Sequence, residues 1–193
     1  MTALALLAVV VSGIVFIVSA QLARSRAIAQ RGASVRVAVG ISQWLPYFFW
    51  VPYAVVGLHV GPELELPDVV RAAGIALTLG GVSFSLWSIA TLGRHYDLVL
   101  EIHAGHQLVR RGPFAWVRHP VYTGLALHFI GACFATGNVL LTVGTLLVSF
   151  PTFVIRARAE EQLLREQFGA EHDRYADEVP MLVPGLPNRG PRR

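Results

Sequence analysis

Residues 3–20 form an apolar run without one ionisable side chain, and further apolar runs follow at 37–60, 69–92, 121–136 and 139–155. No water-soluble core built from a chain this short can hide so much apolar surface, whereas a bilayer requires about 20 apolar residues for each helical span. The composition agrees. Of 193 residues 54% are hydrophobic and 15% charged, and the mean hydropathy is +0.54. Lipid is the expected solvent. The first run lacks the positive leader of a cleaved signal peptide, with its basic residues following rather than preceding it, so it is expected to remain as a span.

The spacing predicts an all-α, polytopic membrane protein of about five transmembrane helices. The second carries Trp44, Tyr47, Trp50 and Tyr53, with Pro46 and Pro52 bending it. The third is rich in small residues, including Gly74, Gly80 and Gly81, which let helices approach closely. The last two are short, about 25 Å each, and meet at Gly137-Asn138 as two short spans or a tight helical hairpin. From Arg156 to about Tyr175 a charged amphipathic helix is predicted at the interface. The arginines at 24, 26, 31 and 36, at 94–118, and from 156 onward all fall on one side under this topology. Glu63, Glu65 and Asp68 fall on the other. By the bias of basic loops, the arginine side is cytoplasmic.

The charge of +4 includes no lysine-rich run and no clustered basic face, so a nucleic-acid partner is not expected. Cys133 is the only cysteine, which excludes an intramolecular disulfide and a cysteine-built zinc site. There is no dinucleotide fingerprint, phosphate loop or serine elbow. Three N-terminal spans, residues 1–93, thus precede a region, 94–193, that holds nearly all the chemistry-capable side chains.

Two constellations stand out there. The first is His106-Gln107-Leu108-Val109, then Gly112-Pro113-Phe114, then Arg118-His119-Pro120-Val121-Tyr122-Thr123-Gly124. Glycine and proline force a non-helical path that leaves peptide groups to read a ligand, and His119 before proline should be extended. A simple interfacial turn, with Arg118 on anionic lipid and Trp116 and Tyr122 at the interface, accounts for each residue singly. It does not account for so many histidines and arginines together. The second constellation is Arg156-Ala157-Arg158-Ala159-Glu160-Glu161, in which Arg156 shares a helical face with Glu160 and Arg158 with Glu161. On an open surface such pairs contribute little; beside a membrane-edge pocket they form a bipolar clamp. His95, His103 and His172 have no metal-ligand spacing and read as solvated. His128, inside an apolar run, either bonds between helices or lines a pocket.

Together with Phe168-Gly169 and Tyr175, these blocks resemble the isoprenylcysteine carboxyl methyltransferases over roughly residues 90 to 187. The resemblance implies a site for S-adenosyl-L-methionine built by the cytoplasmic loops. His106, Gln107, Leu108, Val109 and Phe114 would hold the adenosine, with His119, Pro120, Val121 and Tyr122 lining the rest. Glu160 would meet the amino-acid portion, Arg156 the substrate carboxylate, and Glu101 is a further cofactor contact. Phe114 stands where a tyrosine is common, so a hydroxyl contact is lost. No metal is implied. A sulfonium methyl is already activated and a carboxylate needs no deprotonation, so alignment and exclusion of water are the main tasks. An amine or phenol acceptor would instead require a base, with Glu160, Glu161 or a loop histidine as candidates.

The expected acceptor is a lipophilic or prenylated carboxylate entering from the bilayer of a bacterial inner membrane, among membrane lipids. Three other readings remain at this point: a phospholipid or small-amine N-methyltransferase, an NADPH-dependent sterol-type membrane reductase, and a non-enzymatic scaffold. The last predicts that the two constellations need not meet.

Overall fold

The computed structural model describes residues 3–30, 34–37, 60–97, 101–103 and 105–185. Among the described residues the regular structure is helical apart from one small two-stranded ribbon. Helix α1 spans Ala3–Gln30 and α2 spans Asp68–Leu92, which closes in a 3-10 turn, Gly93–His95. A second 3-10 turn, Gly112–Ala115, precedes α3, Pro120–Thr136. Helix α4 runs through Val139–Phe168 and α5 through Ala170–Glu178. Strands β1, Ser34–Val37, and β2, Glu101–His103, pair antiparallel, a local departure from the all-helical expectation. Ala3–Gln30, Asp68–His95 and Val139–Phe168 are long and apolar enough to cross a membrane; Pro120–Thr136 is a shorter apolar helix.

The helix ends follow from local chemistry. Pro120 opens α3, where a missing N–H costs nothing, and Gly137 closes it at φ 69°, donating to the Cys133 carbonyl at 2.8 Å. Asn138 then caps α4, its side chain accepting from the Leu141 N–H at 2.8 Å. The expected turn at Gly137-Asn138 is therefore present. Arg71, at the start of α2, reaches across to the far end of α3 and donates to the Ala135 and Thr136 carbonyls, each at 3.2 Å. It satisfies acceptors that a helix end leaves open.

The last apolar run and the charged helix predicted after it prove to be one element. Helix α4 continues from Val139 through a π turn, Thr145–Ser149, to Phe168. Pro151 lies two residues past that turn; it cannot donate to the preceding turn, and the wider turn accommodates both the missing bond and the ring. Thirty residues make a rod of about 45 Å, longer than the roughly 30 Å apolar layer of a bilayer. Its charged half therefore extends past the layer. Gly169, at φ 51°, ends it, and α5 starts anew instead of continuing to Tyr175.

The closest packing is between α2 and α3, which run antiparallel. A Cβ placed on Gly74 would lie 2.4 Å from the Ala135 nitrogen, and one on Gly131 would lie 2.4 Å from the Thr78 nitrogen. Seven residues along, Gly81 and Gly124 face each other as tightly, at 2.4 Å from the His128 nitrogen and 2.6 Å from the Gly81 carbonyl. Hydroxyls bond across the same seam: Ser85 donates to the Val121 carbonyl at 3.0 Å. Gly80, grouped with these by sequence, faces open space.

The span predicted at 37–60 lies, but for its ends, outside the described residues. Those ends sit at opposite poles. β1 pairs with β2, which follows α2 in the chain, whereas the Val60 carbonyl accepts from Asn138 at the α3–α4 turn, 2.9 Å away. The ends of α1 and α2 are tied at the first pole, where the Arg24 Nε donates to Asp97 at 2.9 Å.

Candidate functional site

At that pole α2 ends, α3 begins and α4 leaves the apolar layer. Proline at position 120 holds His119 out of the helix, at φ −121° and ψ 62°. The freed N–H groups of Arg118 and His119 donate to the carbonyls of Pro180 and Met181, at 2.9 and 3.0 Å, and the Thr123 hydroxyl donates to the Leu182 carbonyl at 2.6 Å. The segment after α5 is thereby strapped across the start of α3.

Beneath the strap lies a buried charge cluster. Arg118 grips both carboxylate oxygens of Glu161, Nε and Nη2 each at 2.8 Å, and its Nη1 donates to the Ala176 carbonyl at 3.0 Å and to that of Val179. This fork geometry suits arginine and not lysine. His119 Nε2 lies 2.7 Å from Glu161 and its Nδ1 lies 3.4 Å from Glu160. Burial opposes charge on that ring, but hydrogen bonds to Glu160 and Glu161 prevail and raise its pKa to about 9. His172, completely buried, brings Nε2 to 3.6 Å from Glu161.

Arg156 sits on the apolar side of this cluster, 2% exposed, its Nε donating to the Tyr122 hydroxyl at 3.2 Å. The Tyr122 ring is stacked between His119 and Phe153, with centroids at 5.9 and 6.2 Å. The two constellations predicted from sequence thus meet. Within the second constellation, Arg158 is exposed and Glu161 is gripped by Arg118, 43 positions away, because the fold turns Glu161 inward.

A cavity of about 450 Å³ adjoins the end of α2. Gln107, Leu108, Val109, Arg110 and Arg111 line one side, and Thr91, Leu92 and His95 the other. The His106 ring packs between His95 and Phe168, at 5.0 and 6.1 Å. The remaining candidates are placed apart from that lining. Phe114 is buried in the 3-10 turn, where its carbonyl accepts from the Tyr175 hydroxyl at 2.6 Å. Pro120 is buried at the start of α3, and Val121 packs against the apolar core. Glu101 lies in β2, and its side chain is outside the described residues.

Of the histidines read as solvated, His172 is fully buried and His95 packs on His106; His103 is placed only as part of β2. His128 takes the inter-helix role, its Nδ1 3.3 Å from the Thr78 carbonyl. Arg118, Glu161, His172 and Tyr175 form the frame of the site, yet sequence reasoning assigned none of them that task. In the sequence Arg118 stood out only within the first constellation, Glu161 as a helical partner of Arg158 and a candidate base, and Tyr175 as part of the family-like blocks, while His172 read as solvated. Among the described residues no group of three or more His, Cys, Asp or Glu side chains is placed so that it could hold a metal ion.

The profile of the phospholipid methyltransferase family matches residues 69–171. The chain is 32% identical over 125 residues to a probable protein-S-isoprenylcysteine O-methyltransferase of Oryza sativa subsp. indica, an alignment covering 64% of this chain and 65% of that one. It is 27% identical to the human protein-S-isoprenylcysteine O-methyltransferase over 150 residues, covering 75% of this chain and 49% of that one. It thus spans about half to two thirds of the length of these relatives. Among solved structures it superposes on a eukaryotic intramembrane Ras methyltransferase with a TM-score of 0.57 and 25% identity, covering 76% of this chain and 50% of that one.

Proposed function

The chain belongs to the phospholipid methyltransferase family, and from that premise we propose that it is an integral membrane methyltransferase. It takes S-adenosyl-L-methionine as donor and esterifies the carboxylate of a prenylated or otherwise lipophilic acceptor. The observation that carries this reading is Arg156, a buried cation at the point where α4 leaves the apolar layer, held by Tyr122 beside the His119–Glu160–Glu161 cluster.

The residues present fit the donor. A cavity of about 450 Å³ is of a size that takes a small cofactor, and it pairs apolar Leu108 and Val109 with the amide of Gln107. The non-helical backbone at 106–110 leaves peptide groups to read an adenine edge. Glu160, 37% exposed, offers a carboxylate to an ammonium group, with His119 on its other side. Phe114 and Glu101 are weaker contacts: the first is committed to the turn that carries Tyr175. When bound, the donor supplies a methyl group already activated as a sulfonium.

What remains for the protein is alignment. Arg156 attracts and orients the acceptor carboxylate in a dry site, where a charge pair is far stronger than in water. Tyr122, wedged between two rings, fixes the guanidinium. No base is needed, because a carboxylate arrives deprotonated. A cationic phospholipid amine would meet Arg156 as a like charge, which favours the anionic acceptor over the N-methylation suggested by the family's description.

The acceptor reaches the site from the side, between helices, and the site faces the cytoplasm. The arginines at this pole and the acidic Glu63, Glu65 and Asp68 at the other support that orientation. The arginine- and alanine-rich composition supports a bacterial inner membrane. The direct test is calorimetric titration of the purified protein in detergent with S-adenosylhomocysteine, followed by a transfer assay of Arg156→Ala. The variant should lose transfer by at least about a hundredfold while binding S-adenosylhomocysteine as before. Loss of cofactor affinity in the variant would move Arg156 out of the acceptor site.

A further inference from the structure

The segment that walls the cavity has no regular structure from His106 to Arg110, and an unsupported stretch of this kind loses conformational freedom whenever it closes on a ligand. Its fastenings therefore decide what binding costs. Several of them reach the C-terminal helices. The His106 ring packs 6.1 Å from that of Phe168, the last residue of α4, and the Phe114 carbonyl accepts from the Tyr175 hydroxyl at 2.6 Å. Between these points Arg110 places its guanidinium carbon 5.1 Å from the centroid of the Tyr175 ring and donates through Nη2 to Glu178.

Glu178 is the final residue of α5, where the helix dipole presents its negative end and a carboxylate is unfavourable unless a cation answers it. Arg110 is that cation. The Tyr175 ring beneath the guanidinium is buried and its hydroxyl is bonded, so the platform is rigid. Arg110 also lines the cavity, beside Gln107, Leu108 and Val109, whereas Glu178 stands outside that lining with 63% of its side chain exposed. A pair so open to water adds little to the stability of the fold. Its position gives it another use, because one partner belongs to the cavity wall and the other to α5.

We infer that Arg110 is a positioning residue for the methyl donor: held on Tyr175 and Glu178, it keeps the Gln107–Val109 wall set for binding before the donor arrives. The inference rests on the methyltransferase reading above, which places the donor in this cavity, and the test separates the two. Glu178→Gln removes the charge without touching the cavity. Its Tm in detergent should stay within about 2 °C of wild type. Its Kd for S-adenosylhomocysteine should rise about three- to tenfold, the loss expected when a half-exposed ion pair no longer holds a guanidinium on a ring. The KM for S-adenosyl-L-methionine should rise with it while kcat changes by less than about twofold. Arg110→Gln should weaken S-adenosylhomocysteine binding, and Glu178→Gln added to it should weaken binding no further. Amide exchange at residues 107–110 of the ligand-free protein should be faster in Glu178→Gln than in wild type. Asp173→Asn, which breaks the exposed 2.8 Å pair with Arg165 on the same two helices, should leave the Kd unchanged.

Wild-type affinity or wild-type amide exchange in Glu178→Gln, additive losses in the double variant, or equal weakening by Asp173→Asn would each overturn the role of Arg110 and leave the methyltransferase reading standing. A larger fall in the Tm of Glu178→Gln, with kcat falling and KM unmoved, would make the pair merely structural and overturn it too. A wild-type protein that binds no S-adenosylhomocysteine would overturn both.

Discussion

His119 carries its proton at a pH where an isolated imidazole has lost it, because two glutamates face its two nitrogens. Its folded pKa, about 9, lies above the unfolded value of 6.5. The stabilisation is therefore complete below about pH 6.5 and is lost as the pH rises through about 9, a total on the order of 3 kcal/mol. Thermal unfolding in detergent between pH 6 and 10 should show a fall across that window, absent in His119→Gln; an unchanged midpoint from pH 7 to 10 in the wild type would contradict the assignment. The contacts of this residue also show what a sequence hides. That Arg156 and Glu160 share one helical face was legible because four positions fix that geometry, although the first bonds Tyr122 and the second faces His119. The grip of Arg118 on Glu161 bridges 43 positions and depends on how α3, α4 and α5 pack, which no local spacing encodes.

Between elements, the α2–α3 seam was legible in kind but not in detail. A run of small residues announces close approach, yet only register decides which glycine meets a backbone. Gly81 and Gly80 are adjacent; the first touches α3 and the second faces outward. Gly131→Val should cost about 2 kcal/mol or more, because its new Cβ would collide with the Thr78 backbone and hydroxyl, while Gly80→Val should lie within about 0.5 kcal/mol of wild type. Thermal unfolding of both variants in the same detergent decides it, and equal effects would mean that the seam is misregistered. A comparable test applies to α5. Tyr175→Phe leaves the Phe114 carbonyl without its 2.6 Å partner and should destabilise by about 1 to 3 kcal/mol in the same assay. The continuity of α4 was not legible, since the change from apolar to charged residues at Arg156 resembles a boundary. Helical geometry runs through it, and solvent alone changes along the rod.

At the scale of the whole molecule, polarity is sorted by pole. One end of the bundle is closed by the Arg71 clamp and the Asn138 cap, both structural. The other gathers the cavity beside Gln107, the buried cluster under the C-terminal strap, and Arg156 at the edge of the apolar layer. That gathering separates an enzyme from a scaffold, in which the two constellations have no reason to meet. Under the proposed function, an aqueous donor and a lipid-borne acceptor would meet at this pole. The measurement that bears most directly on this account is calorimetric titration of the intact protein in detergent with S-adenosylhomocysteine and, separately, with NADPH. Saturable one-to-one binding of S-adenosylhomocysteine with none of NADPH is predicted; NADPH binding without S-adenosylhomocysteine binding would contradict the account and point to a reductase instead.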